Sequence, residues 1–352
     1  DIVSPPPARA RGGNSRPTST TAPPLHGPAC NSTPADHMAI RRGPTAFSRE
    51  GTDYILTRGA PDGSFADKGE MVELLASAYV SSESNNFVFG HDIPKLSKRA
   101  PELQHDSTFI ARVDHLRWLY LRVLGTYEYA QPEVYRVHRG SSGSLVGILF
   151  LRSYDHRKRI VVRESPSAHD PNIFEQIWLG FLFIPMKFGV GVFRRIMSHG
   201  LGGSLVHKKF AHINGLHKRI DFVATSPVCQ GQGIATEVLN AVCADADDEG
   251  TLLYLSATDR SKQLYYERFG FHVVGEGRSH PSAAHATAGM ARMPKGRADA
   301  GEKVREVGDV VASSAQGNGR MPSALVRVAL PLAGFTFAAW VGWSRKGSKR
   351  HR

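Results

Sequence analysis

Residues 229–239, CQGQGIATEVL, combine a glycine-rich turn with the start of a helix-forming segment. Gly231, Gly233 and Ala235 stand on alternate positions. Glycine adopts backbone angles that a side chain forbids, and it lets a ligand approach the main chain closely. Such a turn at the start of a helix presents unpaired N–H groups at the positive end of the helix dipole. The pattern predicts an anion site, typically for a phosphate, although an ordinary turn between a strand and a helix has the same spacing.

The elements around this turn are those that a phosphate loop requires. Residues 219–225 alternate in polarity and predict a strand, and residues 234–247 have the apolar spacing of a helix. A buried strand over 251–257, a short helix over 261–269 and a strand over FHVVGE follow, with a last strand near 286–293. This order predicts one parallel crossover and an antiparallel end.

The first half of the chain contributes to the same body. Residues 52–58 predict a strand, 68–80 and 107–125 predict helices, and EVYRVHRGSSGSLVGILFLR predicts a β-hairpin. The predicted fold class is therefore α+β, a mix of helices and strands. We expect a central mixed sheet of about six to seven strands flanked by helices, with disordered tails at both ends.

Composition divides the chain into four segments. Residues 1–48 are rich in Pro, Ser, Thr and Arg, and we expect them to be disordered, with an organelle transit peptide as the alternative. Residues 49–294 form the predicted folded domain, and residues 295–320 predict a linker. Residues 321–352 contain an apolar stretch, 324–343, before a basic C-terminus. This stretch predicts either a membrane contact by the tail or a helix that docks on the body.

The net charge of the 352-residue chain is +12, which is typical of proteins that bind nucleic acids or anionic membranes. This charge lies in the tails, because residues 49–294 hold 28 basic and 26 acidic residues and carry only +2. The neutral body argues against nucleic-acid binding. Cys30, Cys229 and Cys243 form neither a metal-ligand spacing nor a disulfide framework, so we expect no metal and a reducing, cytoplasmic compartment.

Two segments of the second half together resemble the GNAT acyltransferase superfamily. Residues 230–235, QGQGIA, are similar to its phosphate-loop signature, and residues 265–273, YYERFGFHV, resemble its later helix-to-strand segment at a fitting distance. The resemblance covers about residues 52–294 and is strongest over 221–276. ADDEGTLLYLSATD and MARMP are similar to the branch that includes puromycin-type acetyltransferases.

The resemblance implies a GNAT-like fold, acetyl-CoA as co-substrate and a set of site residues. The loop N–H groups would bind the pyrophosphate. The strand before the loop would splay from its neighbour, so that its main chain pairs with the pantetheine arm and polarises the thioester. Tyr266 matches the family's tyrosine, which would protonate the departing thiolate. The implied cofactor-binding residues are Val223, Ala224, Thr225, Gln230, Gly231, Gln232, Gly233, Ile234, Ala235, Thr236 and Asp259.

Several of these residues have a structural alternative. Tyr266 could be only a core aromatic residue, with water as the proton donor. Asp259 stands where many members carry Asn, and it could cap the following helix instead of contacting the cofactor. His212, His217 and Asp221 are placed to act as a base, but a solvated or hydrogen-bonded structural role explains each of them equally well.

The resemblance predicts an N-acetyltransferase that transfers an acetyl group from acetyl-CoA to a primary amine of a small molecule by direct attack. We expect an apolar acceptor site, built by the first helices and by residues 174–197. Pro185, Gly189 and Gly191 break those residues into two short helices. One alternative is an acetyltransferase that acts on a protein N-terminus or lysine. Another is a non-catalytic acyl-CoA-binding module tethered to a membrane through residues 324–343.

Overall fold

A computed structural model gives the fold, and it describes residues 44–59, 67–90, 106–130, 132–140, 142–155, 160–161, 175, 180–278 and 286–311. Their strands form one mixed sheet. The strands are β1 (Thr45–Arg49), β2 (Thr52–Gly59), β3 (Glu133–Arg139), β4 (Leu145–Asp155), β5 (Ile160–Val161), β6 (His217–Thr225), β7 (Leu253–Ala257), β8 (His272–Arg278), β9 (Thr287–Arg292) and β10 (Val310–Val311). The helices are α1 (Lys68–Tyr79), α2 (Glu83–Phe89), α3 (Ser107–Ala130), α4 (Ile184–Asn214), α5 (Ile234–Asp248), α6 (Arg260–Glu267) and α7 (Lys295–Asp299).

The strand order is β1-β2-β3-β4-β6-β7-β9-β8-β10, with β5 alongside β4. The described sheet therefore has ten strands where about six to seven were predicted. The additional ones are short, since β5 and β10 contain two residues each. The α+β class is confirmed, and β6 and β7 form the predicted parallel pair.

Apolar cores lie on both faces of the sheet, because alternate residues of a strand point to opposite faces. On one face, Leu253 and Leu255 pack with α5. On the other, Tyr254 packs with Val206 and Phe210 of α4. A second cluster on that face joins α1, α2 and α3 to β3 and β4.

Strand β6 separates from β7 halfway along its length. It pairs with β4 from His217 to Thr225, but its parallel pairing with β7 covers only Lys218, Arg219 and Ile220. The main chain from Asp221 to Thr225 consequently has an edge toward β7 that no strand of the described residues covers. This is the splayed strand that the resemblance implied.

The folded body extends beyond both predicted boundaries. Residues Thr45–Arg49 form β1, although disorder was predicted up to residue 48, and Phe47 stacks on Tyr54 with ring centroids 5.3 Å apart. One apolar side chain in a five-residue strand gave too weak a pattern to detect. Residues 1–43 lie outside the described part of the chain.

The segment predicted as a linker over 295–320 is packed as far as Val311. It contains α7, the buried Val304 and Val307, and β10, which pairs with β8. Because most residues of this segment are polar, its sequence did not indicate that the two valines are buried. The rest of the predicted linker and the apolar stretch 324–343 lie outside the described residues. Among the described helices, none combines the length and the apolar character of a membrane span.

In the described part of 174–197, the predicted break between two helical segments occurs at Gly189. Helix α4 begins at Ile184 and continues to Asn214, with only Gly189 in a non-helical conformation, at φ 83°. Pro185 lies in the first turn, where a missing N–H breaks no helical hydrogen bond. Gly191 remains helical. The predicted break is therefore confirmed at Gly189, where a short helical segment and a long one meet at a kink, but not at Pro185 or Gly191.

Candidate active site

The glycine loop joins β6 to α5. A 3₁₀ turn, Pro227–Cys229, leads into Gly231 and Gly233, whose φ angles of 83° and 79° fall in the left-handed region that favours glycine. Gly233 is the N-cap of α5, and no side chain caps that end of the helix. The first-turn N–H groups and the positive end of the helix dipole are therefore available to an anion.

Residues from β1 and β2 support this loop. The Tyr54 hydroxyl donates a hydrogen bond to Gln232 Oε1 at 2.6 Å. Arg49 forms an ion pair with Glu237 in the first turn of α5, and its Nε would lie 3.6 Å from a Cβ placed on Gly233. A cation therefore stands beside the predicted phosphate position. Sequence analysis did not identify Arg49, because 184 positions separate it from Gly233 and no local pattern connects them.

The exposed edge of β6 is occupied by a side chain from α1. The Tyr79 hydroxyl donates to Val223 O at 2.7 Å and accepts from Val223 N at 3.2 Å. One hydroxyl thus pairs with both polar groups that the resemblance assigned to the cofactor arm. Ala224 is buried and faces Ile148 of β4, while Thr225 O accepts a bond of 3.4 Å from the Gln230 side chain. Val223 therefore offers the polar groups of this edge, and Tyr79 holds them.

A cavity of about 380 Å³ opens where β6 leaves β7, and we call it the β6 cavity. Its wall includes residues from α1, the turn before α2, α2, α3, the middle of α4, β6, β7, α6 and the start of β9. The residues that matter below are Tyr79, Tyr120, Arg219, Asp221, Val223, Lys262 and Tyr266. The first helices contribute to the wall as predicted. The described residues of 174–197 do not, because α4 reaches the cavity only from His199 to Ser204.

Tyr266 faces this cavity from α6. It is partly buried, and burial raises the pKa of its phenol well above the ordinary value, with the neighbouring Tyr79 as a further cause. No hydrogen bond joins its hydroxyl to another described residue. The adjacent Tyr265 instead lies beside α5, with its hydroxyl 3.2 Å from Thr236 Oγ1. Consecutive positions on a helix point in different directions, so only one of the two tyrosines reaches the cavity.

Asp259 is the N-cap of α6. Its Oδ1 accepts from Lys262 N at 2.8 Å and from the Ser261 hydroxyl at 2.6 Å, and its Oδ2 lies 2.8 Å from Lys262 Nζ. These contacts lower the carboxyl pKa to about 2 against the effect of burial. Both oxygens of Asp259 are therefore engaged in helix capping and ion pairing. This is the structural role that was predicted as the alternative to a cofactor contact. A contact between Asp259 and the cofactor stays a prediction.

Asp221 on the wall of the β6 cavity and two buried histidines form a polar cluster around Arg219. The Asp221 side chain is 3% exposed and forms ion pairs with Arg152 and Arg219, which lower its pKa although burial opposes them. His217 Nε2 lies 2.9 Å from His207 Nε2, and burial lowers the pKa of His217 to about 4. Asp221 is thus a fixed anion and His217 a neutral structural group. His212 is exposed on α4, away from the cavity wall.

A wider groove lies elsewhere on the described residues. About 800 Å³ of open space separates α5 from the segment 295–306, and Asn240, Arg268 and Lys303 are among its lining residues. None of the predicted site residues lines it. It is a broad surface depression, so its volume alone does not mark the site.

Residues 197–273 match the family model described as an acetyltransferase (GNAT) domain. This span runs from α4 through β6, the glycine loop, α5, β7 and α6 into β8. It contains Val223, the loop residues and Tyr266. No curated protein sequence matches the chain.

Solved acetyltransferase structures resemble the chain over most of its length. One from Corynebacterium glutamicum, described as histone acetyltransferase HPA2 and related acetyltransferase, is 18% identical, covers 72% of this chain and 97% of its own, and has a TM-score of 0.35. A putative arylalkylamine N-acetyltransferase 7 from the yellow fever mosquito is 14% identical, covers 72% and 97%, and has a TM-score of 0.40. The polyamine N-acetyltransferase of Drosophila melanogaster is 10% identical, covers 68% and 99%, and has a TM-score of 0.37. The match over residues 197–273 identifies that part of the chain as an acetyltransferase (GNAT) domain.

Proposed function

We propose that the protein is an N-acetyltransferase that uses acetyl-CoA and acetylates a primary amine of a small molecule by direct attack. The observation that carries this proposal is the junction of three features at the point where β6 leaves β7. These are the uncapped glycine loop, the polar groups of Val223 and the phenol of Tyr266. The branch that includes puromycin-type acetyltransferases stays a prediction.

The residues present fit coenzyme A. Left-handed Gly231 and Gly233 let a phosphate approach the main chain, and Arg49 adds a positive charge beside them. The N–H and C=O of Val223 form a strand-like edge once Tyr79 releases them. Acetyl-CoA supplies a thioester whose acyl carbon an amine can attack. Gln230 and the N–H groups from Gln232 to Thr236 would hold its phosphates.

The chain's own groups would serve the transfer in two ways. The N–H of Val223 would polarise the carbonyl that is attacked. Tyr266 would donate its proton to the sulfur as the new C–N bond forms and the C–S bond breaks, and the nitrogen would lose one proton to solvent, from which the phenol regains its own. Because burial raises its pKa, this phenol stays protonated throughout the physiological pH range. Asp221 is unsuited to accept the amine's proton, since two arginines hold it as a low-pKa carboxylate.

The size of the β6 cavity supports a small acceptor. About 380 Å³ accommodates a small amine, and cavities of this order are typical of small-molecule sites. A protein N-terminus or lysine would be favoured by an acidic groove. Among the described residues of the wall, Asp221 is the single acid, and it is already paired. The cytoplasmic location and the tail's membrane contact stay predictions.

The test is release of free thiol from acetyl-CoA with a panel of primary amines, followed by intact-mass detection of the acetylated products. We expect amine-dependent thiol release and saturable binding of coenzyme A. Absence of both would refute the proposal. Products acetylated only on added peptides would favour the alternative acceptor.

A further inference from the structure

We propose that the acceptor carries a carboxylate in addition to its amine, and that Arg219 binds this carboxylate inside the β6 cavity. This inference rests on the proposed function and specifies its substrate class. It starts from an arginine that the mechanism above does not use. Arg219 belongs to the wall of the same cavity as Val223 and Tyr266. An acceptor held by Arg219 would therefore share one enclosed space with the reacting groups.

The guanidinium of Arg219 is fixed on two sides and open on the third. Its Nη1 lies 3.2 Å from His207 Nδ1. Its Nε approaches Asp221 Oδ1 at 2.8 Å as an ion pair, without a well-aligned hydrogen bond. No described residue pairs with Nη2, and the side chain is 26% exposed. Donors therefore remain free on an arginine that reaches the cavity, and a planar guanidinium matches a carboxylate in shape and charge.

A hydrogen-bonded chain behind Arg219 sets its orientation. His217 Nδ1 donates to Gly215 O at 2.8 Å, so His217 Nε2 accepts the proton of His207 Nε2 at 2.9 Å. The remaining nitrogen, His207 Nδ1, is then a bare acceptor that faces Arg219. Burial lowers the pKa of both imidazoles, so both histidines stay neutral and keep these hydrogen bonds. Two buried histidines thus hold the Arg219 guanidinium in one orientation. An arginine that only formed an ion pair at the surface would not need such support.

The charges of the described wall agree with an anionic ligand. Its basic side chains are Arg219 and Lys262, and Lys262 is paired with Asp259. The single acid, Asp221, already has two arginine partners. The described wall therefore offers a free cationic donor and no free carboxylate for a second ammonium group. An amino acid fits this wall better than the corresponding diamine or decarboxylated amine.

Two other roles of Arg219 predict different behaviour. If it only stabilised Asp221, its loss would reduce turnover of every acceptor in the same proportion. If Arg219 bound a phosphate of the cofactor, its loss would lower the affinity for coenzyme A. The discriminating quantity is the ratio of kcat/KM for an acid and its decarboxylated amine, measured together with the affinity for coenzyme A.

The experiment uses the full chain, acetyl-CoA and matched pairs: tyrosine and tyramine, tryptophan and tryptamine, arginine and agmatine, ornithine and putrescine. We expect the acid of at least one pair to be turned over at least 10-fold better than its amine. In Arg219→Gln this preference should fall about 10- to 100-fold, the range that a charge-assisted hydrogen bond provides. Affinity for coenzyme A should stay within 2-fold. Arg152→Gln is the matched control, since it also loses an ion pair with Asp221 but does not line the cavity.

The outcomes separate this inference from the proposed function. A wild-type preference for the decarboxylated amines, or an unchanged acid-to-amine ratio in Arg219→Gln, overturns the inference and leaves acetyl transfer standing. An equal loss of preference in Arg152→Gln also overturns it, because the effect would then come from Asp221. A wild-type chain that neither binds coenzyme A nor releases thiol refutes the proposed function itself.

Discussion

The glycine loop and the β6 cavity differ in how the chain builds them. The loop consists of consecutive residues, and its two left-handed glycines and its helix start follow from the order of residues 229–236. The cavity depends on pairs that are far apart in sequence, such as Tyr79 with Val223 and His207 with Arg219. The proposed cofactor loop therefore depends on local sequence, whereas the proposed acceptor cavity depends on long-range packing.

Gly233→Asp should produce the largest effect, on the loop. A carboxylate and a β-carbon would enter the phosphate position, where φ is also unfavourable for a side chain. We expect affinity for coenzyme A to fall at least 100-fold in thermal-shift titrations. Gly250→Asp is the control, since it has a φ of 62° and open space around it but lies after α5. Saturable stabilisation of Gly233→Asp by coenzyme A would place the phosphates elsewhere.

Tyr266→Phe tests whether the phenol that faces the β6 cavity donates the proton in the transfer. Removal of the proton donor should lower kcat about 100-fold at neutral pH, within the range for general acid catalysis, while coenzyme A still binds. Tyr265→Phe is the matched control, because its hydroxyl contacts Thr236 outside the cavity. Equal rates for wild type and Tyr266→Phe would leave proton donation to water.

Tyr79→Phe tests the closed edge of β6. Without the hydroxyl, Val223 N and O lose their partner, which costs the free chain about 1–3 kcal/mol. Coenzyme A would restore a partner, so we expect it to bind about 3- to 10-fold more tightly while the free chain melts at a lower temperature. Tyr120→Phe, on the same wall, should not tighten binding. Weaker binding in Tyr79→Phe would show that the hydroxyl assists the cofactor rather than competing with it.

Arg49→Ala should lower the affinity for coenzyme A by about 3- to 10-fold. The effect is modest because solvent and salt screen an exposed cation near a phosphate. The loss should shrink as the salt concentration rises. Arg297→Ala removes a comparably exposed arginine from α7 and should leave the affinity unchanged. Identical affinities for Arg49→Ala and wild type at low salt would remove Arg49 from the phosphate site.

The smallest expected effect concerns pH. Burial raises the pKa of Tyr266, so its phenol remains a proton donor when an ordinary tyrosine would begin to ionise. We expect kcat to show no decline between pH 8 and pH 10. A decline with an apparent pKa below 10 that disappears in Tyr266→Phe would contradict the raised pKa.

The sequence predicts local elements well because their causes are local. The strand before the loop, helix α5 and the two tyrosines of α6 were located from spacing and motif alone. Arg49, Tyr79 and Arg219 were not identified as site residues, since their roles arise only when β1, α1 and α4 pack on the sheet. The described residues of the predicted acceptor wall over 174–197 do not line the β6 cavity, because α4 reaches it only beyond Met197.

The most direct test of the account is a crystal structure of the chain with coenzyme A. We predict the phosphates on the N–H groups from Gln232 to Thr236. We also predict the pantetheine arm on Val223, with the Tyr79 hydroxyl displaced from it. A structure in which Tyr79 keeps both contacts with Val223 and coenzyme A lies in the groove between α5 and residues 295–306 would contradict the account.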